Sequence, residues 1–314
     1  MRPVAAFVLS ALSIVSTTSA ALADDPLKIA ITQQGAWDTG LAELGKRSGI
    51  FKKHGLDVDI LYTQAGPEAI QALIAGSVDV AEGAGVSAAI GTISKGAPIK
   101  IIGAEIQGAP DQYWYVPAES SIKSIADFNG KTLSYSLPGS SSNAAVLALI
   151  AQYKLDAKTV STGSITATLT QVMTHQVDVG FSAIPFFLDK VEAGQIRIVA
   201  TGEEVAVLKT RTGRVNLSNL NNLQNRRPVL QRFKQAYLDT IEFMYNDPQS
   251  LKMFADYAGL PDSVVARIRG LIPKSALDPG QLTGEDQIIA EAVAGKFIAA
   301  PITARQLEAM TDIP

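Results

Sequence analysis

Two glycine- and serine-rich stretches hold the residue types from which a binding or catalytic site is most readily built. The first is Gly83-Ala84-Gly85-Val86-Ser87-Ala88, with Glu105 downstream. A Gly-x-Gly-x-x-Ala turn between a strand and a helix, followed by an acid, is a pattern that cradles a dinucleotide pyrophosphate and holds a ribose hydroxyl. The second is Pro138-Gly139-Ser140-Ser141-Ser142-Asn143, between the alternating Leu133-Ser134-Tyr135-Ser136-Leu137 and the apolar run Ala144 to Ile150. This reads as a strand entering a helix N-terminus through a small-residue loop. The first amides of such a helix lack intrahelical partners and lie at the positive end of its dipole. They can therefore hold an anionic or acceptor group with no basic side chain nearby. Ser140, Ser141 and Ser142 are equally the residues that merely cap a helix.

Other chemistries have less to work with. Only His54 and His175 are available as a base, and no Gly-x-Ser-x-Gly elbow occurs, so a serine hydrolase is not expected. There is no cysteine and no cluster of Asp and Asn at calcium-loop spacing, so neither a metal nor any other cofactor is expected. The dinucleotide pattern lies on a later strand rather than opening a sheet, and its helix, from Ser87 to Lys95, is short. A dinucleotide-dependent enzyme stands as an alternative, and a protein that is not an enzyme is the expectation.

The N-terminus bears on that choice. Met1-Arg2, the apolar Val4 to Val15 and Ala21-Leu22-Ala23 make a charged start, a core too short to span a bilayer and an Ala-x-Ala cleavage site. Residues 1–23 are expected to be a signal peptide cleaved after Ala23, leaving a periplasmic chain with no lipid-anchoring cysteine. The leader lacks twin arginines, so the chain is expected to cross the membrane unfolded, without a cofactor loaded beforehand. With 27 basic and 30 acidic residues, net charge −3, no basic stripe exists to track nucleic acid. A monomer with a small-molecule ligand is expected.

The elements needed to position these stretches alternate along the chain. Strand patterns at Leu27 to Ile31, Leu56 to Tyr62, Ser77 to Ala81 and Ile99 to Ile102 are separated by helical ones, which predicts parallel sheets covered on both faces. Val78-Asp79-Val80 recurs as Val177-Asp178-Val179, and Ile99-Lys100-Ile101-Ile102 as Ile196-Arg197-Ile198-Val199. Two lobes of like design follow. Residues 24–109 form the first part of lobe 1, 110–200 form lobe 2, and 201–314 return to lobe 1 with C-terminal helices. Thr201 to Asn225 reads as polar and turn-rich.

Ligands of open α/β sheets sit beyond the carboxyl ends of the strands. Those ends gather Gln33 to Asp38, Thr63 to Gly66, Glu82 to Gly85, Ser136 to Asn143, Ser182 to Pro185 and Thr201 to Glu203. Trp37 reads either as a stacking surface for ligand or as a hydrophobic lid on the lobe.

Gly49-Ile50-Phe51 with Gly55-Leu56, then Ala72 to Ala81, then Ile122 to Lys131, and finally Ala294-Gly295-Lys296 and Pro301 resemble, in that order, the solute-binding proteins of ABC importers. The branch is that of nitrate, aliphatic sulfonate and taurine binders, shared with binders of thiamine pyrimidine precursors. The resemblance implies a two-lobed type II periplasmic binding protein fold, each lobe a mostly parallel sheet flanked by helices. It also implies a hinge that closes on the ligand and a membrane permease as partner. Ligand-binding residues carried over by position are Gln34, Trp37, Asp38, Gly83, Ala84, Gly85, Ser140, Ser141, Ser142, Ile184 and Pro185. The loop Phe181-Ser182-Ala183-Ile184-Pro185-Phe186 departs from the family's usual pattern near this proline, which leaves the ligand open. An anionic head, sulfonate- or carboxylate-like, is expected on the amides of Ser140 to Ser142, with Trp37 against its body. No arginine falls on an expected cleft loop, which disfavours a doubly charged anion, and Asp38, Glu82 and Glu203 would suit a pyrimidine or amine instead.

Overall fold

The computed structural model describes residues 24–314; the expected leader, 1–23, lies outside them. Among the described residues ten strands form two separate groups. In the first, β1 (Asp25–Thr32), β2 (Leu56–Thr63), β3 (Val80–Gly85), β4 (Ile99–Gln107) and β10 (Thr212–Asn219) make one sheet in the order β2-β1-β3-β10-β4. β1 pairs in parallel with β2 and β3, whereas β10 runs antiparallel to β3 and β4.

The second group holds β5 (Gln112–Pro117), β6 (Thr132–Tyr135), β7 (Lys158–Ser161), β8 (Gly180–Ala183) and β9 (Ile196–Thr201). β5 lies antiparallel between β8 and β9, β6 pairs in parallel with β7, and a parallel bridge from Leu133 to Val179 joins the two pieces. Across both pieces the order is β7-β6-β8-β5-β9, which repeats the first sheet with β5 in the place of β10. Each lobe is thus a parallel-dominated sheet with one antiparallel strand, entered from the other lobe. The chain crosses between lobes after β4 and again after β9.

Each sheet is covered on both faces, which is why β1 and β3 read as nearly continuous apolar runs. Leu27, Ile29, Ile31 and Val80 pack with Phe233, Tyr237 and Ile241 of the Arg227–Asn246 helix. Ala30, Ala81, Ala84, Val215 and Leu217 pack on the other face with Ile70, Leu73 and Ile288. Trp114, Leu133, Val146, Leu149 and Phe181 centre the second lobe. Among the described residues no helix is long and apolar enough to cross a membrane.

Two sequence expectations are corrected here. The polar stretch Thr201 to Asn225 contains β10, an inner strand of the first sheet. Both of its faces are buried, so polar Arg214, Asn216 and Ser218 are as enclosed as the intervening Val215 and Leu217. Gly83 to Gly85, expected as a tight turn, instead continues β3 to its end, and the next helix begins at Val86.

Candidate functional site

The Pro138 to Asn143 loop folds as a helix start because its side chains close the turn. Ser140 is the N-cap of the Ser141–Tyr153 helix, and its Oγ accepts from the Asn143 amide at 3.2 Å. Asn143 Oδ1 in turn accepts from the Gly139 amide at 3.2 Å. Ser142 is buried and turned inward: its Oγ lies 3.0 Å from Ser136 Oγ and 2.9 Å from Ser140 Oγ, and accepts from the Ser136 amide. This leaves Ser141 facing out, with its Oγ 3.5 Å from Arg214 Nη1. Among the described residues the Ser141 and Ser142 amides donate to no protein acceptor.

The lobes touch at this helix start. A Cβ built on Gly85 of β3 would sit 3.1 Å from the Ser141 nitrogen and 3.4 Å from the Gly139 oxygen, so glycine permits the backbones of the two lobes to meet. At the other rim Gly35 faces the ring of Phe186. Between them lies a cavity of about 10 Å³ lined by Thr32, Gln33, Asp38, Thr39, Gly83, Ser140, Ser141 and Arg214, with Ala65, Gly66 and Ser136. That is room for about one water. The cavity is too small for an organic molecule as it stands.

The electrostatics of the cavity centre on Arg214. Its Nη2 donates to Asp38 and, at 3.0 Å, to Asp111, and its Nε lies 3.9 Å from Glu105. Glu82, on β3, is fully buried, and neither of its carboxyl oxygens has a partner; Glu105 Oε1, Asp111 Oδ1 and Arg214 Nε are also unpartnered among the described residues. Three buried carboxyls thus surround one guanidinium, and Glu82 is buried near Asp38 without reaching it. Burial, reinforced by Asp38, pushes the Glu82 carboxyl well above its ordinary range. Burial and Asp38 also push Glu105 well up, against the pull of Arg214. Asp111 is raised by burial despite its ion pair. Burial opposes the charge on Arg214, but Asp111, Asp38 and Glu105 outweigh it and raise its pKa. Tyr237, below the cluster, is raised by burial and then by Glu105 and Glu82.

The expected site residues divide accordingly. Asp38, Gly83, Ser140 and Ser141 line the cavity, Gly85 forms the contact beside it, and Ser142 braces the loop from beneath. Gln34 is exposed while its neighbour Gln33 lines the cavity, and Ala84 is buried in the core of the opposite sheet face. Ile184 is buried, its amide donating to the Asp111 carbonyl at 2.7 Å, and Pro185 is buried beside it. Trp37 is fully buried, its Nε1 donating to Tyr245 Oη at 3.0 Å and its ring edge-on to Phe254 at 4.8 Å. Glu203 lies at the crossing after β9, paired with Lys209 at 3.6 Å.

Arg214, in the stretch read as turns, lines the cavity from the inner strand β10 rather than from one of the expected cleft loops. Asp111 and Thr39 were also missed; nothing local marks them. Glu105 is fully buried and accepts from the Gly83 amide, so it cannot present itself to a ribose, and the dinucleotide pattern is here a piece of sheet architecture.

Comparison with known proteins places this geometry. The family described as NMT1/THI5 like matches residues 43–251, more than half of the chain. A Brucella abortus (strain 2308) protein described as a binding protein is 31% identical over 135 residues, covering 40% of this chain and 38% of that one. The alkanesulfonate-binding protein SsuA of Xanthomonas axonopodis pv. citri, bound to MOPS, superposes with a TM-score of 0.75 at 22% identity, covering 91% of this chain and 99% of its own. The periplasmic aliphatic sulphonate-binding protein SsuA of Escherichia coli gives 0.69 at 20% identity, with 92% of each chain covered. At these identities the structures establish the architecture. The chain belongs to the NMT1/THI5-like family and has the two-lobed fold of the periplasmic binding proteins.

Proposed function

We propose that this protein is the solute-binding component of an ABC importer, exported to the periplasm after cleavage at Ala23, and that it captures a small organic solute between its lobes. The observation that carries the reading is the meeting of Gly85 and Ser141 over the cavity that holds Asp38, Gly83, Ser140 and Arg214. Strand ends from both lobes converge there, and groups shared between two lobes stabilise the closed state only when ligand bridges them. The family, the fold and the binding proteins among its relatives support it. The Ser141 and Ser142 amides with Arg214 Nη1 would hold an acceptor of the solute. A membrane permease would read the closed state, and the protein would act as a monomer with no chemistry of its own.

The test is a thermal-shift screen of protein unfolded and refolded to strip carried solute, against alkylsulfonates, nitrate, carboxylates, pyrimidines and amines. A ligand at about a hundredfold over its Kd adds roughly 2.7 kcal/mol, or roughly 5 to 10 °C at this size. A sharp melt that no solute class moves counts against the reading.

A further inference from the structure

Charge balance at the cavity says more about the solute, on the basis of the solute-binding reading. Glu82, Glu105, Asp111 and Asp38 are each at least 98% buried, and the cation among them is Arg214, also buried. With all five ionised the cluster would carry a net charge of 1 − 4 = −3 in a region sealed from water, a state that neutralisation by protons relieves. Asp38 and Asp111 are the two that accept from the guanidinium. Glu82, with both oxygens unpartnered, and Glu105, with one, are the carboxyls that burial pushes toward the protonated form. The groups that face these two are Asp38 on the loop after β1, Arg214 on β10 and Tyr237 on the Arg227–Asn246 helix. Among these Arg214 is the one cation, and it is already shared between two aspartates.

An anion entering this cavity adds to a negative excess and must compete with Asp38 and Asp111 for Arg214. A cation meets Asp38 at the cavity wall, with the carboxyls of Glu82 and Glu105 buried behind Gly83 and able to ionise in response. Of the groups that line the cavity, Asp38 is the carboxyl acceptor, while the Ser141 amide, with that of Ser142 beside it, is a donor in search of an acceptor. A protonated nitrogen beside an acceptor atom answers both.

We propose that the cleft selects a solute bearing a protonated nitrogen, an ammonium or amidinium, and that Glu82 and Glu105 give up protons to solvent when it is captured. The ligand's positive charge replaces the protons that kept these carboxyls neutral. An opposite charge at 4 to 6 Å lowers a carboxyl pKa by roughly 1 to 3 units, which shifts these carboxyls toward the ionised form.

Charge-inverted isosteres test this directly: acetamidinium against acetate, benzamidinium against benzoate, guanidinium against nitrate, each at millimolar concentration on stripped protein. The expected result is a rise in melting temperature with cationic members alone. Titration calorimetry at pH 7 in phosphate and in Tris should give enthalpies that differ by the released proton. Glu82→Gln and Glu105→Gln should each reduce cation affinity about tenfold, as expected for one unit of coupling, and diminish that buffer dependence. A response to the anionic members, or cation binding with no buffer dependence in the unaltered protein, overturns the inference. Silence to all six compounds while another class moves the melt overturns it too, yet leaves the solute-binding reading standing. Silence to the whole panel removes both.

Discussion

Gly85→Val separates closure from folding. Gly85 has φ −59° and ψ 129°, values any residue adopts, so the substitution imposes no backbone strain. The atoms nearest its added Cβ, Ser141 nitrogen at 3.1 Å and Gly139 oxygen and Ser140 carbonyl carbon at 3.4 Å, all belong to the other lobe's loop. They are backbone atoms held by the Ser140 and Asn143 caps and cannot turn aside. The two γ-methyls of valine reach further still, so the cheapest relief is for the lobes to stand apart. Overpacking of this kind costs about 1 to 3 kcal/mol, here charged to the closed state, which weakens solute affinity roughly 5- to 150-fold. The free protein should lose about 1 kcal/mol or less, because Gly85 is also the N-cap of the Val86–Ser94 helix and valine caps poorly. Calorimetric titration with a solute found in the screen, beside a melt of the free protein, gives both quantities, with Gly85→Ala falling between. Wild-type affinity in the valine variant would refute the closure argument. So would a loss of free-protein stability as large as the loss of binding, which would place the clash inside one lobe.

Three further outcomes follow from the same geometry. Gly83 has φ +82° and its Cβ would strike Thr32 Oγ1, so Gly83→Ala should cost about 2 kcal/mol or more and lower the melting temperature by several degrees; an unchanged melt would mean the β3 end relaxes freely. Arg214→Met leaves Asp38 and Asp111 buried without a cation and should destabilise by about 3 to 5 kcal/mol in chemical denaturation, a small loss arguing that these acids are neutral in the native protein. For Glu82 and Glu105 the native pKa lies above the unfolded value of 4.5, so the folded state binds more protons, and stability present below that value is lost as pH rises toward the native pKa. Each group should contribute a decline of about 1.4 kcal/mol per pH unit in that window, and Glu82→Gln should make the profile shallower and favour the variant at pH 8; an unaltered profile would mean the carboxyl is ionised when folded.

The sequence made the frame legible because most strands and helices obey simple periods. β1 and β2 alternate or run apolar as their burial demands, and the helix starting at Ser141 is announced by its cap and by Pro138-Gly139. β10 escaped because Thr-Gly-Arg-Val-Asn-Leu-Ser-Asn carries polar residues on a buried face, and a period-two reading assigns such a face to solvent. Arg214 went with it, and so did the charge cluster. Trp37 was ambiguous for a different reason: the partners that fix it, Tyr245 and Phe254, lie more than two hundred residues downstream. A buried network assembled from five distant segments leaves no local signal, whereas a capped helix start is written within six residues.

The claim that a solute is held by closure of two lobes is tested most directly by a distance across the cleft. The chain contains no cysteine, so Gln64→Cys on lobe 1 and Thr166→Cys on lobe 2, both exposed, would give two unique spin-label sites. Pulsed electron-resonance distances on stripped protein should include a population longer than the closed structure allows, and a saturating solute should collapse it to the short distance. One short, unchanging distance with and without a solute that raises the melting temperature would contradict the account.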